Sequence, residues 1–572
     1  MRYRAIIGLN AFFLCLIFAI VFTAQVLGFL GIYWRWFAVP ITFIVMGASL
    51  TGYYRLHKNW FETLNPDDDS DQSLFTLIIV GLVLLLLTVV FGLRMIAFPY
   101  SELGRLIPSD FYAYHALKAL DLVRSHSYWN VTIPYGEYPL GYESLLAFSQ
   151  ALTGSLQWAG LLQFVLVLWL LTTLVLLLRR YAKLPLALSF LLSAAFLFVP
   201  LLYGQLLTIG KNDVLLSITV LTAILHSSAA SDERFHPMGL AYATLISIAT
   251  KTGGLFVLVY LWGLILWRWW QAYQKKQHYD YLHPAIFAAA LGLMFPGGLW
   301  VIRNLIRMGA VLSPEISSFT ETTIATNLNN ALLYQSGTES IALMIAAAYV
   351  VALTIFLWLN QRFRWRVALL LVMITLSFMT TPLSAFHTPQ STVLRVEWRY
   401  VLHGALWGYV VLIGLGATLI VSIWREMTDS FNHKAMVVLV LIIGIGGVLW
   451  IFDVPTQINT DEATYRQALI DPYPESDAEY DSIYDYVRQE ISMGTIFIES
   501  LEPFFLMYPN ADITVTQGTL YPLGLSGRFD VPTPDYAMTT ASHTLTFDKL
   551  PNDYQWEVIY EDSTGRIFRR VP

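Results

Sequence analysis

The residues able to do chemistry in this chain sit where apolar runs stop. Asp110 stands in a polar stretch between two such runs, and Lys211-Asn212-Asp213 separates two more. Lys251 interrupts a third, Arg303-Asn304 and Arg307 end a fourth, and Arg395, Glu397 and Arg399 precede a fifth. A carboxylate such as Asp110 can accept the proton of an attacking hydroxyl. Lys and Arg gathered at one place can hold a phosphate and stabilise charge growing on it. Each residue taken singly has a plainer use. Ser109 or Asp110 can cap a helix, and a lysine or arginine at the end of a span commonly reaches for the membrane surface. A charge at the centre of a bilayer costs roughly 2.5–3.5 kcal/mol even on the lenient insertion scale, so all of them are expected at span ends or facing cavities.

The elements that must position them follow from composition. Of 572 residues, 56% are hydrophobic and only 13% charged, which places the chain among integral membrane proteins. A net charge of −6 offers no broad basic surface, which argues against nucleic acid as a partner. Cys15 is the single cysteine, so no intrachain disulfide or cysteine metal site can form. The run from Ala5 to Leu30 is too long for a signal-peptide core and reads as an uncleaved first span.

At roughly 20 helical residues per crossing, about thirteen spans are predicted. They run over 5–30, 37–54, 74–98, 157–178, 185–207, 214–230, 237–250, 254–270, 284–302, 340–359, 366–384, 400–423 and 435–452. Arg2 and Arg4, Arg55 and Lys58, Arg179, Arg180 and Lys183, Arg268, Lys275 and Lys276, and Arg362, Arg364 and Arg366 all fall on one side. The positive-inside rule makes that side, and the N-terminus, cytoplasmic in the cell membrane. The five polar sites then face outward, where a surplus of cations runs against the same rule.

Three regions are expected. Residues 1–73 form a two-span N-terminal extension with a cytoplasmic linker, in which Asp67-Asp68-Asp69-Ser70-Asp71 reads as a solvated charge run. Residues 74–452 form a transmembrane catalytic module with an outer loop at 99–142. Within that loop Tyr114, Leu117, Leu120, Leu122 and Val123 keep a helical rhythm, predicting an amphipathic helix along the membrane surface. Residues 453–572 turn polar and form a small extracytoplasmic α/β domain. Its strands are expected in Thr495–Glu499, Asp512–Thr516, Thr544–Phe547, Trp556–Tyr560 and Arg566–Arg569, with helical spacing from Tyr480 to Ile491.

With these residues in order, the chain resembles the GT-C superfamily of polyprenyl-phosphate-sugar-dependent membrane glycosyltransferases, such as the protein mannosyltransferases and aminoarabinose transferases. Trp300, Arg303, Asn304, Gly309 and Pro314 match a family motif at the end of a span, although Ala310-Val311 replaces the usual Asn-Pro. Tyr138-Pro139-Leu140 resembles the family's Tyr-Pro-Pro segment. Lys211-Asn212-Asp213 and Thr250-Lys251-Thr252 resemble its paired short spans, and Arg399-Tyr400 its late Arg-Tyr. The resemblance covers about residues 74–424. It implies a GT-C-like fold and transfer of a sugar from a polyprenyl-phosphate donor to a glycan, lipid or protein acceptor at the outer face of the bilayer.

The resemblance assigns catalysis to Asp110. Substrate binding falls to Tyr138, Lys211, Asp213, Lys251, Arg303, Asn304, Arg307, Arg395, Glu397 and Arg399. No cofactor is firmly implied. The family's second acidic residue is replaced by Phe111 and Tyr112, so a divalent metal would need Asp213, Glu137 or Glu397 beside Asp110. The competing reading is a multi-pass transporter or flippase, which places ionisable residues near the midplane between two related halves. A third is a scaffold presenting the outer domain. Asn130-Val131-Thr132 is a glycosylation sequon that decides between none of these.

Overall fold

The computed structural model describes residues 3–55, 74–93, 114–133, 135–154, 156, 159–182, 184–198, 202, 205–206, 212–227, 235–275, 283–311, 402–404, 406–411, 413, 416, 481–498, 512–517, 534–540 and 554–571. The expected spans at 340–359, 366–384 and 435–452, the linker at 56–73, and the residues Asp110, Lys211, Arg395, Glu397 and Arg399 lie outside them.

Among the described residues, five helical stretches are long and apolar enough to cross a membrane. They are Arg4–Leu30, Arg35–Arg55, Ala159–Ala182, Thr252–Gln274 and Pro284–Met308, and shorter apolar helices accompany them. The chain is a multi-pass helical membrane protein.

In chain order the helices are α1 (Tyr3–Leu30), α2 (Arg35–Arg55), α3 (Leu74–Leu87), α4 (Ala116–Ser125), α5 (Gly141–Thr153) and α6 (Ala159–Leu177). They continue as α7 (Leu186–Leu197), α8 (Asn212–Ser227), α9 (Pro237–Thr250), α10 (Leu255–Gln274), α11 (Pro284–Met294) and α12 (Leu299–Met308). Each of the first nine expected spans overlaps one or more of these helices, while 94–98 and most of 199–207 fall outside the described residues.

Local signals explain several boundaries. α9 starts at Pro237, whose missing N–H is no loss in a first turn, and the His236 side chain caps it by accepting from Gly239 N. It stops at Lys251, whose backbone is extended, and a 3-10 turn at Thr252–Gly254 leads into α10. α12 stops at Gly309, which adopts the left-handed conformation (φ +67°) that a side chain would resist.

α1 is well embedded among the described helices. Two thirds of its apolar window (67%) is buried by protein against 22% for α2, and it packs on α2, α5, α6, α9 and α12. The first span is therefore embedded in the bundle rather than standing apart from the module expected to start at residue 74. Lipid tails are as apolar as leucine, so such packing depends on close fit and polar contacts. Asn10 Nδ2 donates to Thr173 Oγ1 (2.8 Å) and Thr172 Oγ1 (3.1 Å), joining α1 to α6. Tyr53 hydrogen-bonds His226 Nε2 (2.7 Å), joining α2 to α8. Exposed aromatic side chains collect at the start of α2 (Trp34, Trp36, Phe37) and the end of α10 (Trp267, Trp270, Tyr273), as they do at membrane interfaces.

The outer-loop helix exists as α4 but does not lie free on a surface. Lys118 and Asp121, on what should be its polar side, are buried along with Leu117 and Leu120. α5, a helix the hydrophobic rhythm did not single out, packs against it.

The C-terminal region carries α13 (Asp481–Glu490) and a five-stranded sheet of order β2-β1-β3-β5-β4. The strands are β1 (Gly494–Ile498), β2 (Ile513–Gln517), β3 (Tyr536–Thr540), β4 (Gln555–Glu561) and β5 (Gly565–Val571). β1 runs parallel to β2 and β3, whereas β5 is antiparallel to β3 and β4. Four strands and the helix match the expectation, and Thr544–Phe547 falls outside the described residues. β3 was not expected. It is the central strand, Ala537 and Met538 are both buried, and a strand covered on both faces loses the polar alternation that marks its neighbours.

Candidate functional site

The chemistry-bearing residues that can be placed form two adjoining clusters at one end of the helices. The first is built on α4, α5 and the segment between them. His115 Nδ1 lies 3.0 Å and Lys118 Nζ 3.2 Å from the same oxygen, Glu143 Oε1, with all three side chains buried. Lys118 also donates to the carbonyl oxygens of Tyr138 (3.3 Å) and Pro139 (3.1 Å). Burial pushes the Glu143 carboxyl up, but the Lys118 ammonium and the His115 hydrogen bond outweigh it and hold the group at about 2. Burial pushes Lys118 below the usual lysine range while Glu143 opposes it. A buried ion pair becomes tolerable when further hydrogen bonds satisfy its remaining protons, and the two carbonyls do this here.

Tyr138, expected to bind substrate, thus has its main chain anchored by Lys118. Its ring packs on Tyr135 at 5.1 Å, and Tyr135 packs on Tyr114 at 4.6 Å. Tyr135 is held at φ +52°, a left-handed conformation uncommon for a bulky residue. The following Gly136 has no room for a side chain, because a Cβ there would meet the Val131 backbone at 2.8 Å.

Arg303 and Asn304 reach this loop from α12. Arg303 is 1% exposed. Its Nη1 donates to the Tyr128 carbonyl (2.8 Å), its Nε to Asn304 Oδ1 (2.9 Å), and its guanidinium lies over the Tyr128 ring at 5.3 Å. Asn304 Nδ2 donates to the carbonyls of Glu137 and Val311, each at 2.7 Å. The neighbouring motif residues also have packing roles. Trp300 Nε1 donates to Ile248 O (3.2 Å), and a Cβ on Gly297 would meet Leu245 O at 2.6 Å. Arg307, by contrast, is exposed. The outer loop is held from α1 as well: Trp129 Nε1 donates to Phe29 O (2.6 Å), and Tyr33 N to His126 O (2.9 Å).

Asp121 belongs to the same cluster. Its Oδ1 accepts from Asn130 Nδ2 at a long 3.4 Å. Burial raises its carboxyl to about 7, against the opposing pull of Asn130, Arg124 and Arg303. Asn130, the acceptor of the sequon, has its Oδ1 bound by the Thr132 hydroxyl at 2.7 Å.

The second cluster joins the start of α8 to the end of α9. Lys251 Nζ lies 2.6 Å from Asp213 Oδ1, so two residues expected at the site from separate segments meet directly. Asp213 is in the first turn of α8, where the helix dipole favours a negative charge, and Lys251 caps the C-terminus of α9, where it favours a positive one. The clusters adjoin through Gly141, the first residue of α5. A Cβ there would clash with Thr250 Oγ1 and meet the Ala249 carbonyl carbon at 2.8 Å, so only glycine allows α5 this close to Lys251.

Among the described residues no three His, Cys, Asp or Glu side chains gather as a metal site. His115 and Glu143 do not suit a cation, because Lys118 occupies the same carboxylate oxygen.

Sequence reasoning did not single out His115, Lys118, Asp121, Tyr128 or Glu143. His115 and Lys118 are three apart on a helix and therefore share a face, the one available signal that both could meet a single carboxylate.

No family profile matches the chain, and no curated protein does. Solved structures similar to it include that of ArnT from Cupriavidus metallidurans bound to undecaprenyl phosphate, aligned over 85% of this chain and 97% of that one at 14% identity and a TM-score of 0.49. At that score and identity the likeness carries no argument about this chain.

Proposed function

We propose that this protein is a membrane glycosyltransferase that moves a sugar from a polyprenyl-phosphate donor to an acceptor at the outer face, with Asp110 as general base. The observation that carries the reading is the joining of two clusters through Gly141 and Thr250. The loop that follows Asp110 is held against the bundle beside the Asp213–Lys251 pair, so segments far apart in sequence bring carboxylates and cations to one end of the helices.

In this reading the acceptor hydroxyl attacks the anomeric carbon while Asp110 takes its proton. The bond from that carbon to the phosphate oxygen breaks, and the lipid phosphate leaves with both bonding electrons. Direct displacement inverts the anomeric centre. The growing phosphate charge is met by Lys251 with Lys211, Arg395 and Arg399, because cations beside a developing anion stabilise it. Arg303 and Asn304 serve the reaction by holding the loop, and Arg307 anchors the span at the interface. Glu397 and Tyr138 are assigned to substrate contacts. The N-terminus is cytoplasmic and the C-terminal domain extracytoplasmic.

The test is incubation of purified protein with a panel of polyprenyl-phosphate sugars and candidate acceptors, following loss of the lipid-linked sugar. Transfer of at least one sugar is expected. Carrier movement across proteoliposomes without any sugar loss would instead identify a flippase.

A further inference from the structure

On the helical segment at 402–404 and 406–411, His403 is 1% exposed, yet neither Nδ1 nor Nε2 has a hydrogen-bond partner. Buried polar groups in native proteins are nearly always paired, and leaving one unsatisfied costs about 1–3 kcal/mol. Trp407, one helical turn further along the same face, repeats the pattern, because its Nε1 is also buried without a partner. The His403 ring lies within electrostatic reach of both Asp213 and Lys251. The Lys251 side chain is 24% exposed, whereas that of Asp213 is buried.

We propose that His403 lines the pocket for the donor's sugar ring, one ring nitrogen donating to a sugar hydroxyl and the other accepting from one. This assignment rests on the transferase reading above. A neutral imidazole presents one donor and one acceptor. A hydroxyl-rich sugar satisfies both, since each hydroxyl can donate and accept. A fully ionised phosphate only accepts and leaves the bare nitrogen unmet. The Asp213–Lys251 pair, within electrostatic reach, adds a carboxylate that accepts and an ammonium that donates. The ligand class is thus a hydroxyl-rich sugar, with the lipid phosphate lying elsewhere at the site.

The probes are undecaprenyl phosphate and the same carrier bearing glucose, mannose or arabinose. Binding is read as the rise in melting temperature of the full chain in detergent, and turnover is read separately. At least one sugar-bearing carrier should stabilise the wild type more than the bare carrier does. His403→Phe should lose that extra stabilisation and raise KM for that donor about tenfold or more, the bare-carrier shift staying unchanged. His403→Asn, which keeps a donor and an acceptor in different positions, should bind sugars but rank them differently. The inference fails if no sugar-bearing carrier outperforms the bare one on the wild type. It fails too if the Phe variant keeps the sugar increment or loses the bare-carrier shift equally. Should the Phe variant not fold, an unchanged ranking in the Asn variant overturns it. Sugar-dependent binding without any turnover by the wild type defeats the transferase reading alone.

Discussion

The Arg303 guanidinium donates to the main-chain carbonyl of Tyr128, 175 positions away in sequence, at 2.8 Å. With Asn304 bound to the Glu137 carbonyl, the Arg-Asn pair at the end of α12 fastens both ends of the 128–137 segment to the membrane helices. Carbonyl dipoles and a tyrosine face meet Nε, Nη1 and the guanidinium plane of this arginine buried at a span end, while Nη2 is left without a hydrogen-bond partner. The arrangement alters what mutation should do.

Arg303→Ala removes the Tyr128 contact and leaves that carbonyl buried. Hydrogen exchange across residues 126–138 should rise, and turnover should fall through misplacement of the loop, with Arg303→Lys recovering little because it lacks the second donor that reaches Asn304. If exchange in the loop is unchanged while donor affinity collapses, the arginine is a phosphate ligand after all.

Asp110→Asn keeps the side chain's size and removes its basic site. Turnover should drop by roughly 10²–10⁴ with little change in donor affinity, as expected for a lost general base. Wild-type turnover by a folded variant returns Asp110 to capping a helix.

Glu143→Gln should be among the most destabilising single changes in the outer loop, at about 3–5 kcal/mol, because it strands the buried Lys118 ammonium. Pairing it with Lys118→Met should restore much of the loss, since replacing the lysine by an apolar side chain removes the uncompensated charge. Thermal unfolding of the single and double variants in detergent checks this, and a double variant no better than the single one would show that Lys118 matters chiefly through the Tyr138 and Pro139 carbonyls.

Asp121 gives a pH signature of unusual sign. Its carboxyl is raised to about 7, so between its unfolded value near 4 and 7 the folded state holds a proton the unfolded state has lost. Its contribution therefore weakens as pH rises through that window and is fully lost above it. Asp121→Asn should flatten this part of the stability profile and make the protein relatively more stable than wild type at pH 8. Parallel profiles for the two proteins would mean that Asp121 titrates normally.

Gly28→Ala tests whether the first span positions the loop. A Cβ at Gly28 would meet Tyr128 Cδ1 at 2.6 Å and Leu122 Cδ1 at 2.9 Å, an overpacking expected to cost about 1–3 kcal/mol. Exchange at 122–129 should increase without loss of membrane insertion. An unaffected loop would show that α1 and the loop touch without depending on each other.

Much here was legible from the sequence because the forces behind it are local. The apolar runs marked the described spans other than the outer-loop helices α4 and α5, Pro237 and Gly309 marked a start and a stop, and the strand pair flanking Asp562–Thr564 announced its hairpin. Residue types also placed Asp213 and Lys251 together at a site before their 2.6 Å contact was visible. What only the tertiary structure decided concerns partners. Nothing near Arg303 in the chain specifies the Tyr128 carbonyl, nothing in the first span announces how many other helices it packs on, and Glu143 looks like an ordinary helix residue until α5 lies on α4. Hydropathy records how a segment meets lipid or water. It does not record which buried donor meets which buried acceptor, because that depends on packing between segments more than a hundred residues apart.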